Sequence, residues 1–388
     1  MANSNLTNAK RAKNDEFYTQ YKDIEKEVSA YLEYDPDVFL GKTVLLPCDD
    51  PEWSNFTRYF AQNFERFGLK KLISTSYAAN SKQYKNWYSP TLFERSNSQY
   101  DEKKTASNGK IFTLTTDRTN DGKIDIADLE WHYLDGDGDF QSDEIKQLRD
   151  EADIIITNPP FSLFRIFLAW IVEVDKKFVI IGSKNAITYK EIFPLIKSNK
   201  MWVGTTSFNK DMLFTAPDKI DPLEKSKTAT RTVDGVVYLR SPSVWFTNID
   251  HGRRHQPLQL MSMTDNFRFN KKLKGKESYE EYSNYNAIEV PFTNAIPSDY
   301  DGAIGVPISF LDKYSPEQFE ILGTSDNGLV GDEFKKTPGL TKEFVDDYYK
   351  AGGTGAYKEG NPTAGFYENN IAKMAYKRIF IKHNQRIV

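Results

Sequence analysis

The stretch Asp153-Ile154-Ile155-Ile156-Thr157-Asn158-Pro159-Pro160-Phe161 decides how the chain is read. Three isoleucines and a threonine in a row suit a strand covered on both faces, as in a parallel sheet. The Asn-Pro-Pro that follows stops the strand in a polar turn. Such a turn suits methyl transfer to an amine conjugated with a ring or carbonyl. That amine is a poor nucleophile because its lone pair is delocalised. The Asn158 side-chain oxygen and the Pro159 carbonyl can each accept one of its hydrogens, drawing the nitrogen towards a tetrahedral shape. Pro159 and Pro160 restrict the backbone, so the acceptors are positioned before the reaction. Phe161 offers a flat face for a base turned out of its helix. The plainer alternative is an ordinary strand end, since Asn-Pro often opens a turn.

Outward from this stretch, Thr43-Val44-Leu45-Leu46-Pro47 reads as a second buried strand. A helix from about Ser54 to Phe67 follows, with Phe56, Tyr59, Phe60 and Phe64 on one face and Gly68 at its end. Leu72 to Ser76 is the next strand, which completes a right-handed βαβ unit. Lys22 to Tyr34 reads as an amphipathic helix, and residues 80–132 as a polar insertion. Helices are expected from about Asp143 to Asp150 and from Leu163 to Val174, with a strand from Phe178 to Gly182. Val236–Leu239 and Val244–Thr247, separated by a Ser-Pro turn, could close the sheet as an antiparallel pair. The expected fold is α/β, with helices flanking a mostly parallel sheet.

After His251 the texture changes to short segments rich in Tyr, Asn, Gly and Pro. The expected organisation is a catalytic domain over residues 1–250 and a second region of mixed α+β over 251–388. At 388 residues two domains are expected, and 39% hydrophobic content supports sizeable cores. The net charge of -4 means that binding to a polyanion would have to use local patches. Cys48 is the only cysteine, and the four histidines are scattered, so neither a disulfide scaffold nor a metal centre is expected. No apolar run is long enough for a membrane span, and the polar start Met1-Ala2-Asn3-Ser4-Asn5 gives no expectation of a signal peptide. A cytoplasmic protein with no membrane partner is expected.

Open parallel sheets bind ligands beyond the carboxyl ends of their strands. The turn Pro47-Cys48-Asp49-Asp50-Pro51 lies there, and its carboxylates could meet the charged amino-acid end of a cofactor. Equally, either carboxylate could cap the next helix. In Asp135-Gly136-Asp137-Gly138-Asp139-Phe140, an acid beside an aromatic could receive an adenine amino group. The stretch from Asp117 to Asp128 has the oxygen spacing of a calcium loop, with Gly122 at the sixth position. A solvated Asp/Gly turn is the alternative there.

Taken in order, Phe17-Tyr18-Thr19, Cys48-Asp49-Asp50-Pro51, Gly138-Asp139-Phe140 and Asn158-Pro159-Pro160-Phe161 resemble the S-adenosylmethionine-dependent adenine-N6 DNA methyltransferases. The EcoRI-type modification methylases are the more similar group. The likeness extends over most of the chain, including Ser243–Asn248 and Gly302–Pro307. It implies a Rossmann-like methyltransferase sheet and S-adenosylmethionine as cofactor, held by Phe17, Tyr18, Thr19, Pro47, Cys48, Asp49, Asp139, Phe140 and Asn158. It implies catalysis by Asn158, Pro159, Pro160 and Phe161 on an adenine flipped out of double-stranded DNA. The C-terminal region would recognise the target, and the setting would be a restriction-modification system with a cognate endonuclease, or a solitary methylase. A monomer is expected.

Arg253, Arg254, Lys271, Lys272, Lys274 and Lys276 are the candidate DNA contacts, the lysine run through phosphates. The same Asn-Pro-Pro-aromatic turn would also serve methylation of RNA or of a protein glutamine amide. A calcium-dependent binding module is a third reading, but it leaves the Asn158 turn without a purpose.

Overall fold

The computed structural model describes residues 18–47, 49, 54–78, 99–215 and 230–384. These fall into two compact units, one within Met1–Lys184 and Val203–His251, the other within Asn185–Trp202 and Gly252–Val388.

The first unit begins with β1 (Tyr18–Thr19), α1 (Tyr21–Tyr34), β2 (Thr43–Leu46), α2 (Asn55–Gln62) and β3 (Lys71–Ser76). It continues through α3 (Glu102–Ser107), β4 (Lys110–Leu114), β5 (Glu130–Tyr133), α4 (Asp143–Glu151), β6 (Ile154–Thr157), α5 (Phe164–Val172) and β7 (Lys177–Ser183). The chain re-enters it at β8 (Trp202–Val203) and ends with β9 (Met212–Thr215), β10 (Thr230–Val233), β11 (Val236–Ser241) and β12 (Ser243–Thr247).

One large mixed sheet has the order β5-β4-β3-β2-β6-β7-β12-β8. Its centre is parallel: β2 pairs with β3 on one side and β6 on the other, and β6 pairs with β7. β4, β5 and β12 join antiparallel. Every residue of β2 and β6 is buried, which explains why both are unbroken apolar runs. The carboxyl ends of β3, β2, β6 and β7 point the same way. The chain leaves β2 for β3 on one side and later returns to β6 on the other, the arrangement that opens a crevice above the sheet.

Two strands, β4 and β5, lie within the segment expected as a polar insertion. Their inward residues, Ile111, Phe112, Leu114 and Trp131, are buried. α2 stops at Gln62, earlier than its apolar pattern suggests, because Asn63 turns its side-chain amide back onto the Tyr59 carbonyl at 2.9 Å. Phe64 and Phe67 still reach the core from the turns that follow. β11 and β12 do not pair with each other. All of β12 is buried and runs beside β7, whereas only Leu239 of β11 is buried, which suits a strand with one wet face. β11 instead joins a separate sheet of order β1-β9-β11-β10.

In the loop from Asp117 to Asp128, the Asp117 and Asp128 carboxylates accept from backbone amides. Asp128 accepts from Arg118 and Thr119 at 2.8 Å and from Asp125 at 3.0 Å; Asp117 accepts from Asn120 and Gly122. The Asp125 and Thr119 amides hold the Asp128 carboxyl at a pKa of about 2.

The second unit is built on a four-stranded sheet of β13 (Ala287–Glu289), β14 (Ala303–Pro307), β15 (Phe319–Thr324) and β18 (Arg378–His383), in the order β13-β14-β18-β15. A hairpin, β16 (Gly365–Glu368) and β17 (Ile371–Met374), and the helices α6 (Met263–Phe269) and α7 (Lys342–Lys350) also belong to it. Tyr282, Tyr285, Phe380 and Leu322 form one core. Glu289 and Arg378 make a buried ion pair, with Nε to Oε2 at 2.9 Å. Among the described residues, no helix is long and apolar enough to cross a membrane.

Candidate active site

At the carboxyl edge of the large sheet, the ends of β6 and β2 are tied together: Thr157 Oγ1 donates to the Pro47 carbonyl at 2.7 Å. Asp49, two residues further, is buried at 7% exposure. Ser54, at the N-cap of α2, donates to its Oδ1 at 2.9 Å and also accepts from the Phe56 amide. The Asp49 carbonyl receives the hydroxyls of Ser74, from β3, and of Thr57, from α2. Those two hydroxyls lie 3.0 Å apart. A buried polar turn of this kind is tolerable only when its groups are bonded, and here three hydroxyls hold it. None of Ser54, Thr57 or Ser74 stood out in the sequence. The signal was the break from apolar to polar residues at the end of Leu72–Ser76.

Asn158 and Pro160 are half-buried and Pro159 is buried just beyond β6. The Leu163 amide bonds the Pro160 carbonyl at 2.9 Å and closes a tight turn over Phe161–Leu163 before α5 begins. Phe161 is half-buried and meets Phe214 edge to face, with ring centres 6.3 Å apart.

Phe214 brings in the N-terminal segment. β1 pairs with β9, Thr19 opposite Phe214 and Tyr18 opposite Thr215. Asn55 at the start of α2 donates to the Thr19 carbonyl at 2.8 Å. Thr19 is 3% exposed, and its hydroxyl makes no hydrogen bond among the described residues. Tyr18, Thr19, Pro47, Asp49 and Asn158 to Phe161 therefore belong to one connected set of segments. Phe17 and Cys48 lie outside the described residues.

The turn from Asp135 to Phe140 lies against the end of β3. The Ala78 amide bonds the Asp137 carbonyl at 2.8 Å. Gly138 has φ +88°, and a Cβ there would stand 2.5 Å from the Ser76 carbonyl oxygen, so only glycine fits. Asp139 is exposed, and one oxygen accepts from the Gln141 amide at 2.9 Å. Phe140 is 1% exposed, with its ring packed edge-on against Phe167 and Trp170 of α5.

The cations singled out in the second half differ among themselves. Arg253 is half-buried. Arg254 is 5% exposed, stacks 3.6 Å above the Trp202 ring and donates to Asn199 Oδ1 at 2.5 Å. Lys271, Lys272 and Lys274 are exposed, while Lys276 pairs with Glu368 at 2.6 Å and Glu280 at 3.4 Å.

Comparison with known proteins shows the family. A family described as adenine-specific methyltransferase EcoRI matches residues 5–384. The type II methyltransferase M.EcoRI of Escherichia coli is 41% identical over 323 residues, covering 82% of this chain and 89% of its own. The type II methyltransferase M.MpnI of Mycoplasma pneumoniae is 30% identical over 382 residues, 98% of each chain. The type II methyltransferase M.MgeORF184P of Mycoplasma genitalium is 31% identical over 350 residues, 90% of this chain and 95% of its own. No solved structure matches this one. The chain belongs to the EcoRI family of adenine-specific methyltransferases, and it is an adenine-specific DNA methyltransferase.

Proposed function

We propose that the carboxyl edge of the large sheet binds S-adenosylmethionine and directs its methyl group to N6 of an adenine flipped out of double-stranded DNA. The observation that carries this reading is the Thr157 to Pro47 bond, which sets the Asn158 turn beside the buried Asp49 turn. The residues present fit such a cofactor. Asp49 is a buried carboxylate where an ammonium would be welcome, Asp139 is an exposed acceptor for a purine or ribose, and Thr19 holds a buried hydroxyl with no partner among the described residues. Tyr18 and Pro47 would line the same pocket, and the family likeness adds Phe17 and Cys48 to the cofactor-binding set. Phe140 would serve by anchoring the Asp139 turn on α5. The sheet would then be a Rossmann-like methyltransferase sheet. When bound, the cofactor supplies a methyl group made electrophilic by a sulfonium.

The protein's part is to make N6 nucleophilic. Asn158 Oδ1 and the Pro159 carbonyl accept the two N6 hydrogens, which localises the lone pair on the side facing the methyl group. Pro159 and Pro160 hold that geometry in advance, so little reorganisation is needed in the transition state. Neither acceptor is a base, so the proton lost from N6 passes to water after transfer. Phe161 supports the flipped ring by stacking. The second unit would recognise the target, with Lys271, Lys272 and Lys274 on phosphates. The relatives' type II designation supports a place in restriction and modification.

Asn158→Ala tests the reading, because its acceptor acts chiefly as N6 becomes tetrahedral. Single-turnover methylation of a cognate duplex should fall on the order of a hundredfold or more, with cofactor and DNA binding largely kept. A near-wild-type rate would overturn the assignment.

A further inference from the structure

In the second unit, α6 and the residues after it are held by two buried asparagine side chains. Asn266 is fully buried and Asn270 is 8% exposed. The Asn266 amide donates to the carbonyls of Met261 and Ser262, and Asn270 donates to Asn266 Oδ1 at 3.4 Å. Asn270 Oδ1 then accepts from the Lys272 amide, while its carbonyl takes the amides of Leu273 and Lys274. Leu273 is buried, and Gly275 turns the chain at φ +87°. Buried amides are costly unless bonded, so this ladder defines the loop's shape.

Arg268, Phe269, Lys271, Lys272 and Lys274 of this segment are all exposed, the Lys272 ammonium lying 4.0 Å from the Phe292 ring centre. Phe269 is 59% exposed, one of the largest apolar exposures in the described residues. The Arg268 guanidinium lies 5.0 Å from its ring centre. From Asn266 to Lys276 there are five cations and no carboxylate, in a chain whose net charge is -4. One exposed aromatic alone would mean little. A ring beside an arginine, on a hydrogen-bonded segment that also carries exposed lysines, is different, because it matches a polymer with phosphates outside and flat aromatic faces inside.

We propose that Phe269 is a base-stacking contact to duplex DNA, presented by the Asn266–Asn270 ladder between Arg268 and the exposed lysines. This rests on the DNA-methylating reading and adds a contact whose energy does not come from charge. Its signature therefore differs from that of the lysines: loss of the ring should weaken binding without changing its salt dependence.

The test uses a labelled duplex carrying the site mapped by sequencing methylated DNA from cells that express the protein. Phe269→Ala should weaken binding roughly five- to a hundredfold, the range for loss of one stacking contact, with the salt slope unchanged. Phe269→Trp should keep most of the affinity and show DNA-dependent quenching beyond that of the wild type. Unchanged affinity in Phe269→Ala, or a loss explained by a shallower salt slope, would overturn the stacking role. Absence of quenching in a Phe269→Trp protein that still binds would do the same. If wild-type protein left no methylated adenine in DNA, the underlying reading would fail instead.

Discussion

Thr19 shows how one atom can separate a structural from a functional role. Its hydroxyl is buried without a partner among the described residues, a condition that costs about 1–3 kcal/mol. Its backbone is held on both sides, by Phe214 across the strand pair and by the Asn55 amide. Thr19→Val keeps the shape and removes the hydroxyl. Without ligand, the variant should be as stable as the wild type or more stable by about 1 kcal/mol, seen as an unchanged or raised Tm. If the hydroxyl serves the cofactor, calorimetry should show S-adenosylmethionine binding weakened roughly fivefold or more. Unchanged affinity would remove Thr19 from the pocket. Single residues are where sequence reading was most uneven. The place of Asn158 to Phe161 just beyond a buried strand is legible, because an unbroken apolar run stopped by two prolines reads clearly. Ser54, Thr57 and Ser74 were not, since hydroxyls are common and their partner, the Asp49 carbonyl, is defined only by the fold.

At the scale of elements, the central strands were legible because burial on both faces forces unbroken apolar runs, as in β2 and β6. β4 and β5 were hidden by their charged and polar neighbours. The pairing of β1 with β9 joins residues nearly two hundred positions apart, for which no local pattern exists. The turn between β5 and α4 is a further case, placed by Gly138 against the end of β3. Two glycines with nearly the same φ allow its role to be isolated. Gly122 (φ +86°) has open space where a Cβ would go, whereas at Gly138 (φ +88°) a Cβ would meet the Ser76 carbonyl. Gly122→Ala should cost only the conformational strain, about 1–2 kcal/mol, and leave cofactor affinity alone. Gly138→Ala should lower Tm further and weaken S-adenosylmethionine binding, because the Asp139 turn must shift. Equal Tm losses in the two variants, with cofactor affinity intact in both, would take this turn out of the site.

For the whole molecule, a net charge of -4 sets the terms on which it can hold a polyanion. Bulk attraction is absent, so affinity for DNA has to come from a few placed cations, and the salt dependence of binding counts them. The lysine run was legible as a charge cluster, but its members are not equivalent. Lys271, Lys272 and Lys274 are exposed, whereas Lys276 is engaged by Glu368 and Glu280. Glu368 is drawn down to a pKa of about 2, with the Lys276 and Lys373 ammonium groups as its main causes. Its carboxylate thus stabilises the fold above pH 4.5, its ordinary value, and loses that contribution as pH falls towards 2. Replacing Lys271, Lys272 and Lys274 together with glutamine should flatten the plot of log affinity against log salt by roughly 0.9 per lost phosphate contact, across cognate and unrelated sequences alike. Lys276→Gln should leave that slope unchanged and instead lower Tm slightly at pH 7, as expected for a largely solvated pair worth about 1 kcal/mol or less. The Tm difference should shrink as the pH is lowered below 4.5, where the unfolded carboxyl takes up its proton first. If the triple variant kept the wild-type salt slope while Lys276→Gln reduced it, the division of the run into DNA-facing and structural lysines would be the wrong way round.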